Sequence, residues 1–189
     1  MKNNKLILVG ASTGGPGHLE QILSSLDADF SSTLIIAQHI DFVFMHSMVK
    51  HFDNICMYGV EEAQENKYLK DPSIIFTYKN LTNLEHHHAN GLHLSECTRN
   101  SPYQPSVDSL FLSASKICEH YDILACLLTG IGDDGAAGLL ALKNCGARCL
   151  SESKESCVVY GMPKAAEELS SAGKQGAEPF APPFRLEPD

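Results

Sequence analysis

The chain is short of positive charge: 14 lysines and arginines stand against 23 aspartates and glutamates, which gives a formal net charge of −9. Nucleic acids and anionic membrane surfaces bind proteins mainly through clustered cations. We therefore expect neither of them to be a general partner. A length of 189 residues, 43% of them hydrophobic, allows one sizeable core but not two ordinary domains.

Long apolar runs are also missing. No uninterrupted apolar stretch approaches the roughly 18 residues that a membrane-spanning helix needs. Residues 1–5 supply no basic segment ahead of an apolar signal core. The sequence thus predicts no membrane insertion and no secretory signal, and we expect a cytoplasmic location.

Disulfide and metal signatures are absent as well. The cysteines are odd in number and include no Cys-x-x-Cys pair, which predicts reduced thiols and, for Cys145 and Cys149, packing in the core. The run His86–His88, with His93 and Cys97, matches no zinc-ligand spacing. We therefore expect no metal and no cofactor. The seven cysteines are Cys56, Cys97, Cys118, Cys126, Cys145, Cys149 and Cys157.

Short apolar runs alternate with helical patterns along most of the chain. Residues 5–9, 33–37 and 122–128 are continuous apolar segments, typical of strands covered on both faces. Apolar residues at helical spacing separate them. This order predicts an α/β fold, a doubly wound, mostly parallel sheet with helices on both faces in three layers.

Other segments complete the predicted architecture. We expect further strands at 55–60, 147–150 and 157–160, and a small β-hairpin excursion within 73–94 whose polar loop carries the histidines. The segment from Ser170 onward is rich in Pro, Gly and Ala and has no periodic stripe, so we expect it to be largely disordered.

Three loops place polar residues directly after predicted strands. Ser12 lies on a glycine-rich turn, His39 follows the second strand, and two aspartates, Asp133 and Asp134, lie in the loop after residues 122–128. Because parallel strands end at the same edge of a sheet, these side chains can meet. Serine, histidine and aspartate are the minimum set for nucleophilic acyl chemistry. Backbone N–H groups at Thr13 and in the 130–132 turn are the candidate oxyanion donors.

Other interpretations of the same residues stay open. Taken singly, Ser12 suits a helix N-cap, His39 a structural histidine and Asp134 a cap for a helix starting at Gly135. The segment 130–135 also satisfies the G-x-G-x-x-G pattern of dinucleotide-binding proteins, with Glu152 about 20 residues further on. Against that alternative, two adjacent aspartates would face the pyrophosphate.

Five ordered motifs resemble one family, the catalytic domain of the chemotaxis protein-glutamate methylesterase CheB. The resemblance spans roughly residues 5–168. It implies a serine hydrolase with the triad Ser12, His39 and Asp134, supported at the oxyanion by Thr13, Ile131 and Gly132. The motifs are Gly10-Ala11-Ser12-Thr13-Gly14-Gly15, Gln38-His39, Pro105-Ser106-Val107-Asp108, the run from Leu128 to Gly138, and Val158-Val159-Tyr160-Gly161-Met162-Pro163.

The resemblance also implies a substrate and a domain layout. The implied partner is the methylated cytoplasmic domain of a chemoreceptor, whose γ-glutamyl methyl esters would be hydrolysed, with glutamine deamidation as a second implied activity. Residues 1–169 would form the catalytic domain, 170–189 an atypical tail, and no receiver domain is expected. The oligomeric state is left open, a monomer being one option. Loops near the site depart from the family pattern, so a receptor-binding homologue with impaired catalysis is kept as an alternative.

Overall fold

The structure is a computed structural model that describes residues 4–172 and 181–184. In that part of the chain, strands and helices alternate along most of the length. The strands are β1 (Asn4–Ala11), β2 (Thr33–Gln38), β3 (Val60–Glu62), β4 (Ser73–Phe76), β5 (Asn83–His87), β6 (Gly91–Ser95), β7 (Tyr121–Leu127), β8 (Arg148–Glu152) and β9 (Ala181–Phe184). The helices are α1 (Gly15–Ser24), α2 (Phe42–Ile55), α3 (Val107–Ser115), α4 (Ala136–Asn144) and α5 (Met162–Ala172).

Seven strands form one sheet in the order β3-β4-β2-β1-β7-β8-β9, and every neighbouring pair is parallel. The chain leaves β1 toward β2 on one side, while β7 pairs with β1 on the other. In open α/β sheets, ligands bind at such a reversal of strand order, outside the carboxyl ends of the strands. Ser12 directly follows β1 at this point.

Buried side chains divide into two clusters, one on each face of the sheet. Leu6 and Leu8 of β1 pack with α3, α4, α5 and the β5–β6 hairpin. Val9 and Ala11 of the same strand pack with α1 and α2. This alternation is what a strand buried on both faces requires. The predicted fold class, a doubly wound sheet in three layers with a small hairpin, is confirmed.

Several predicted boundaries are wrong. The strand expected at 55–60 is the end of α2 followed by β3, and 157–160 is irregular apart from a single bridge between Tyr160 and Gly130. Residues 73–76 belong to the main sheet, so the hairpin consists of β5 and β6 alone. His86 and His87 consequently lie in a strand and not in a polar loop.

The tail and the cysteines also differ from expectation where the structure describes them. Helix α5 continues to Ala172, and residues 181–184 pair with β8 as a strand. The rest of the predicted tail, residues 173–180 and 185–189, lies outside the described residues. Cys118 and Cys145 form a disulfide, so the prediction of free thiols is wrong for these two. Within residues 4–172 and 181–184, no helix is both long enough and apolar enough to cross a bilayer.

Candidate active site

Ser12 occupies the first position after β1, on a turn that leads into α1. Its backbone N–H donates to Thr129 O at 3.0 Å, which ties this turn to the loop after β7. The helix N-cap is Gly14, whose φ of 87° lies in the left-handed region that favours glycine, and no side chain caps the helix. The N-cap interpretation of Ser12 is therefore wrong, and its hydroxyl is not used to start the helix.

His39 and Asp134 meet at the same edge of the sheet. The imidazole Nε2 lies 2.7 Å from Asp134 Oδ2, although the two residues are 95 positions apart in sequence. Asp134 is 3% exposed, and His39 is half-buried. A buried carboxylate at this distance fixes the orientation of a histidine ring. The structure thus pairs two of the three residues predicted for the triad.

Asp134 is held by the first turn of α3. Its Oδ1 accepts hydrogen bonds from Ser106 Oγ at 3.1 Å and from the Asp108 N–H at 2.9 Å. Its Oδ2 accepts from the Val107 N–H at 2.7 Å. Helix α4 begins after Gly135 without a side-chain cap, so Asp134 does not cap the helix that follows it in sequence.

Opposing effects set the pKa of Asp134. Burial by itself raises this pKa, because a desolvated carboxylate is less stable when charged. The hydrogen bonds from His39, Asp108 and Val107, together with the charge of His39, outweigh burial and leave the pKa below its ordinary value. Asp134 is therefore ionised at neutral pH, as a residue that orients a histidine must be.

The buried side chain of Gln38 connects the loop that carries Ser12 with the loop that carries His39. Its side-chain Nε2 donates to Ser12 O and to His39 O, each at 2.9 Å. The residue is 1% exposed, at the end of β2. One buried amide therefore holds the backbone of both loops, which fixes the position of Ser12 relative to His39.

A second buried group supports the turn from the other side. Glu152, fully buried at the end of β8, accepts the Thr129 N–H at 2.7 Å and lies 3.3 Å from His18 Nδ1. Thr129 Oγ1 in turn donates to Thr13 O at 2.9 Å. The dinucleotide-binding alternative depended on Glu152, but this carboxylate is fully buried beneath the turn and is not open to a ligand.

The predicted oxyanion residues lie beside Ser12. The 130–132 turn packs against the serine so closely that a Cβ on Gly130 would stand 2.6 Å from Ser12 Cβ. Thr13 is exposed, and Ile131 is 62% exposed. Among the described residues, the N–H groups of Thr13, Ile131 and Gly132 have no acceptor.

Sequence reasoning missed Tyr103. Its ring stacks on the His39 imidazole with centroids 4.9 Å apart and planes 3° from parallel. Tyr103 lies in the irregular loop before α3. Such a loop has no helical or strand periodicity from which the neighbours of a side chain could be predicted. Gln38 and the residues 106–108 lie within the sequence motifs, but their contacts with the loops of Ser12, His39 and Asp134 join distant segments and could not be predicted.

The histidine-rich segment does not form a metal-binding group. Within the described ranges, no three His, Cys, Asp or Glu side chains are arranged to hold a metal ion. The rings of His86 and His120 stack instead, with centroids 4.3 Å apart, near the turn of the hairpin.

The fold and the site define a class: α/β proteins with a serine, a histidine and an aspartate at the carboxyl edge of a doubly wound sheet. The family model described as CheB methylesterase matches residues 7–177. The chain belongs to the CheB methylesterase family.

Named relatives and a solved structure agree with this family. Proteins named protein-glutamate methylesterase/protein-glutamine glutaminase are 34% identical in Treponema pallidum and 37% identical in Bordetella parapertussis, each over 90% of this chain. The matches cover 43% and 49% of those proteins, so the chain spans about half the length of the relatives. The crystal structure of the Thermotoga maritima CheB methylesterase catalytic domain superposes with a TM-score of 0.80 at 28% identity, covering 90% of this chain and 91% of that one.

Proposed function

We propose that this chain is a serine hydrolase, a protein-glutamate methylesterase. Its substrates would be γ-glutamyl methyl esters on the cytoplasmic helices of chemoreceptors, with glutamine deamidation as a second activity. The relatives in Treponema and Bordetella carry both activities in their names. The observation that carries the proposal is the buried Asp134 at 2.7 Å from His39 Nε2, on the sheet edge where Ser12 emerges.

The hydrogen bond to Asp134 determines which nitrogen of the His39 imidazole carries the proton. Because the Asp134 carboxylate accepts only, Nε2 must carry the proton that it shares with Oδ2. Nδ1 is then the unprotonated nitrogen and serves as the base for Ser12. The roles of the two nitrogens are therefore reversed relative to the serine-protease pattern, in which Nδ1 faces the aspartate.

The reaction then proceeds in two halves. Ser12 Oγ attacks the ester carbonyl carbon while its proton passes to His39 Nδ1; the bond to methoxide breaks, and methoxide takes that proton and leaves as methanol. A water molecule next attacks the acyl-serine, giving its proton to Nδ1. The bond to Oγ breaks, Ser12 regains the proton, and glutamate is released. With a glutamine substrate, ammonia leaves in the first half.

Negative charge on the carbonyl oxygen develops in both halves. The backbone N–H groups of Thr13, Ile131 and Gly132 are the proposed donors to this oxyanion, each typically contributing about 3 kcal/mol in such sites. Because the contribution of Ile131 comes from its main chain, its exposed side chain is free to vary.

Methanol release from a methylated chemoreceptor cytoplasmic fragment tests the proposal. We expect release by the unaltered chain and a loss of about 10³-fold or more in Ser12→Ala, because no other group supplies the nucleophile. Ser24→Ala, an exposed serine on α1, serves as the matched control and should keep full activity. Full activity in Ser12→Ala would refute the triad. Receptor binding without methanol release by the unaltered chain would favour the impaired homologue.

A further inference from the structure

Tyr103 and His39 make a flat ring contact, with planes 3° from parallel and centroids 4.9 Å apart. Asp134 holds the imidazole by one atom, Nε2. One hydrogen bond at Nε2, which lies close to the axis of the Cβ–Cγ bond, restrains rotation of the ring about that bond only weakly. A second ring lying flat on the imidazole removes this freedom and so determines the direction in which Nδ1 points.

Tyr103 is itself fixed at its hydroxyl end. A Cβ on Gly132 would lie 2.6 Å from the Tyr103 hydroxyl, so the glycine leaves the space that the phenol uses. Gly132 also has a φ of +88°, a conformation that few other residues adopt. Burial raises the pKa of Tyr103, and the charges of Asp133 and Asp134, with a hydrogen bond to Asp133, raise it further. The phenol therefore stays protonated and donates toward Asp133.

We infer that Tyr103 is a positioning residue, which holds the His39 imidazole at the tilt where Nδ1 faces Ser12. The inference rests on the proposed hydrolase function and adds a residue outside the triad to it. The histidine is thus oriented in two ways: Asp134 binds its edge directly, whereas Tyr103 lies flat on its face. The ring works through His39 and needs no contact with the substrate.

Steady-state kinetics on the methylated receptor fragment test the role of the ring. In Tyr103→Leu, we expect kcat to fall about tenfold or more with KM within about threefold, because a tilted base misaligns the reaction without weakening binding. Tyr103→Phe keeps the flat ring and should restore most of the lost kcat. An unchanged kcat in the leucine variant, or a phenylalanine variant as impaired as the leucine one, would overturn the inference.

A matched control separates stacking on His39 from the general loss of a tyrosine. Tyr68 also lies against a histidine, His93, away from the site, with centroids 5.0 Å apart but with ring planes tilted by 58°. Tyr68→Leu should therefore leave kcat unchanged. If it lowers kcat as much as Tyr103→Leu does, the effect is structural and the inference is wrong.

A readout that needs no receptor distinguishes this inference from the proposed function. An arylsulfonyl fluoride forms a bond between Ser12 Oγ and sulfur and expels fluoride, while the serine proton passes to His39. We expect Tyr103→Leu to slow this inactivation about tenfold and Tyr103→Phe to react at nearly the original rate. Such a pattern in a chain that releases no methanol would refute the substrate and retain the inference. Equal rates in all three proteins would refute the inference, whatever the substrate.

Discussion

At the scale of single residues, Asp134 serves the fold and the site with the same four hydrogen bonds. Oδ2 accepts from His39 and Val107, and Oδ1 accepts from Ser106 and Asp108. All four partners donate hydrogen bonds, so the side chain at this position must accept hydrogen bonds at both of its terminal atoms. The site therefore requires a carboxylate for a structural reason as well as a chemical one.

Asp134→Asn should damage both properties. In either orientation, the new NH₂ group faces a backbone N–H, and when it faces His39 it also forces the wrong tautomer. We expect kcat to fall by about 10⁴-fold, as in other triads, and the free energy of unfolding to fall by about 1–3 kcal/mol. Methanol release and urea unfolding measure the two. Asp29→Asn, on an exposed turn, is the control; a stable, active Asp134→Asn enzyme would contradict this account.

The three residues of the proposed triad could be named from the sequence, but their supports could not. Each of Ser12, His39 and Asp134 directly follows a strand or lies in the loop after one, and parallel strands bring such positions to one edge. The choice of Asp134 over Asp133 depended on family resemblance, since spacing does not separate adjacent aspartates. Tyr103 and its flat contact with His39 arise where two irregular loops meet, and no local pattern encodes such a meeting.

At the scale of elements, the turn that carries Ser12 is a closely packed junction of three segments. The loop after β7 lies against it, and α5 begins directly beneath, where Gly161 and Met162 both donate to Gly130 O. This junction explains why residues 157–160 are not a strand despite their β-branched sequence. Val159 uses its N–H and its C=O on Thr129 and Gly130, so that the segment crosses the edge of the sheet instead of extending it.

Gly130→Ala should disturb this junction. The added methyl group would overlap Met162 Sδ and stand 2.6 Å from Ser12 Cβ. The methionine tip can move, but the serine Cβ moves only with its backbone. We expect a loss of about 1–3 kcal/mol in the free energy of unfolding, and a lower kcat because Ser12 is displaced.

Gly17→Ala is the matched substitution. A Cβ there meets nothing within 4 Å, and alanine favours the helix by up to about 1 kcal/mol. Its kcat should not change, and its stability should be equal or higher. Thermal unfolding and methanol release distinguish the two variants. Equal behaviour of Gly130→Ala and Gly17→Ala would show that the junction tolerates movement.

At the scale of the whole molecule, the layers of the fold were predictable and the order of its strands was not. Continuous apolar runs such as β2, buried along its full length, imply cover on both faces. β4 pairs with β3, the strand before it, and also with β2, which lies much earlier in the sequence. The sequence pattern for a short strand is the same in a hairpin and in a main sheet, and this is why residues 73–76 were misassigned.

The stability of the whole molecule depends on pH in part through the partly buried carboxyl group of Asp108. Burial and the charges of Asp134 and Asp133 raise the pKa of Asp108, although hydrogen bonds from Gly138 and Gly135 oppose them. The native state therefore keeps the Asp108 proton to a higher pH than the unfolded chain does. Stability falls as the pH rises above the ordinary pKa of Asp108, and the loss is complete above the raised pKa of the native state.

Asp108→Asn tests this pH dependence, because asparagine does not ionise. It keeps an oxygen acceptor for the Gly138 N–H, which lies 2.7 Å from Asp108 Oδ1. The free energy of unfolding of Asp108→Asn minus that of the unaltered chain should therefore be larger near pH 7 than near about pH 3.5. Urea unfolding at both pH values measures this difference. A difference of zero or of opposite sign for Asp108→Asn would mean that the native fold does not disfavour this charge.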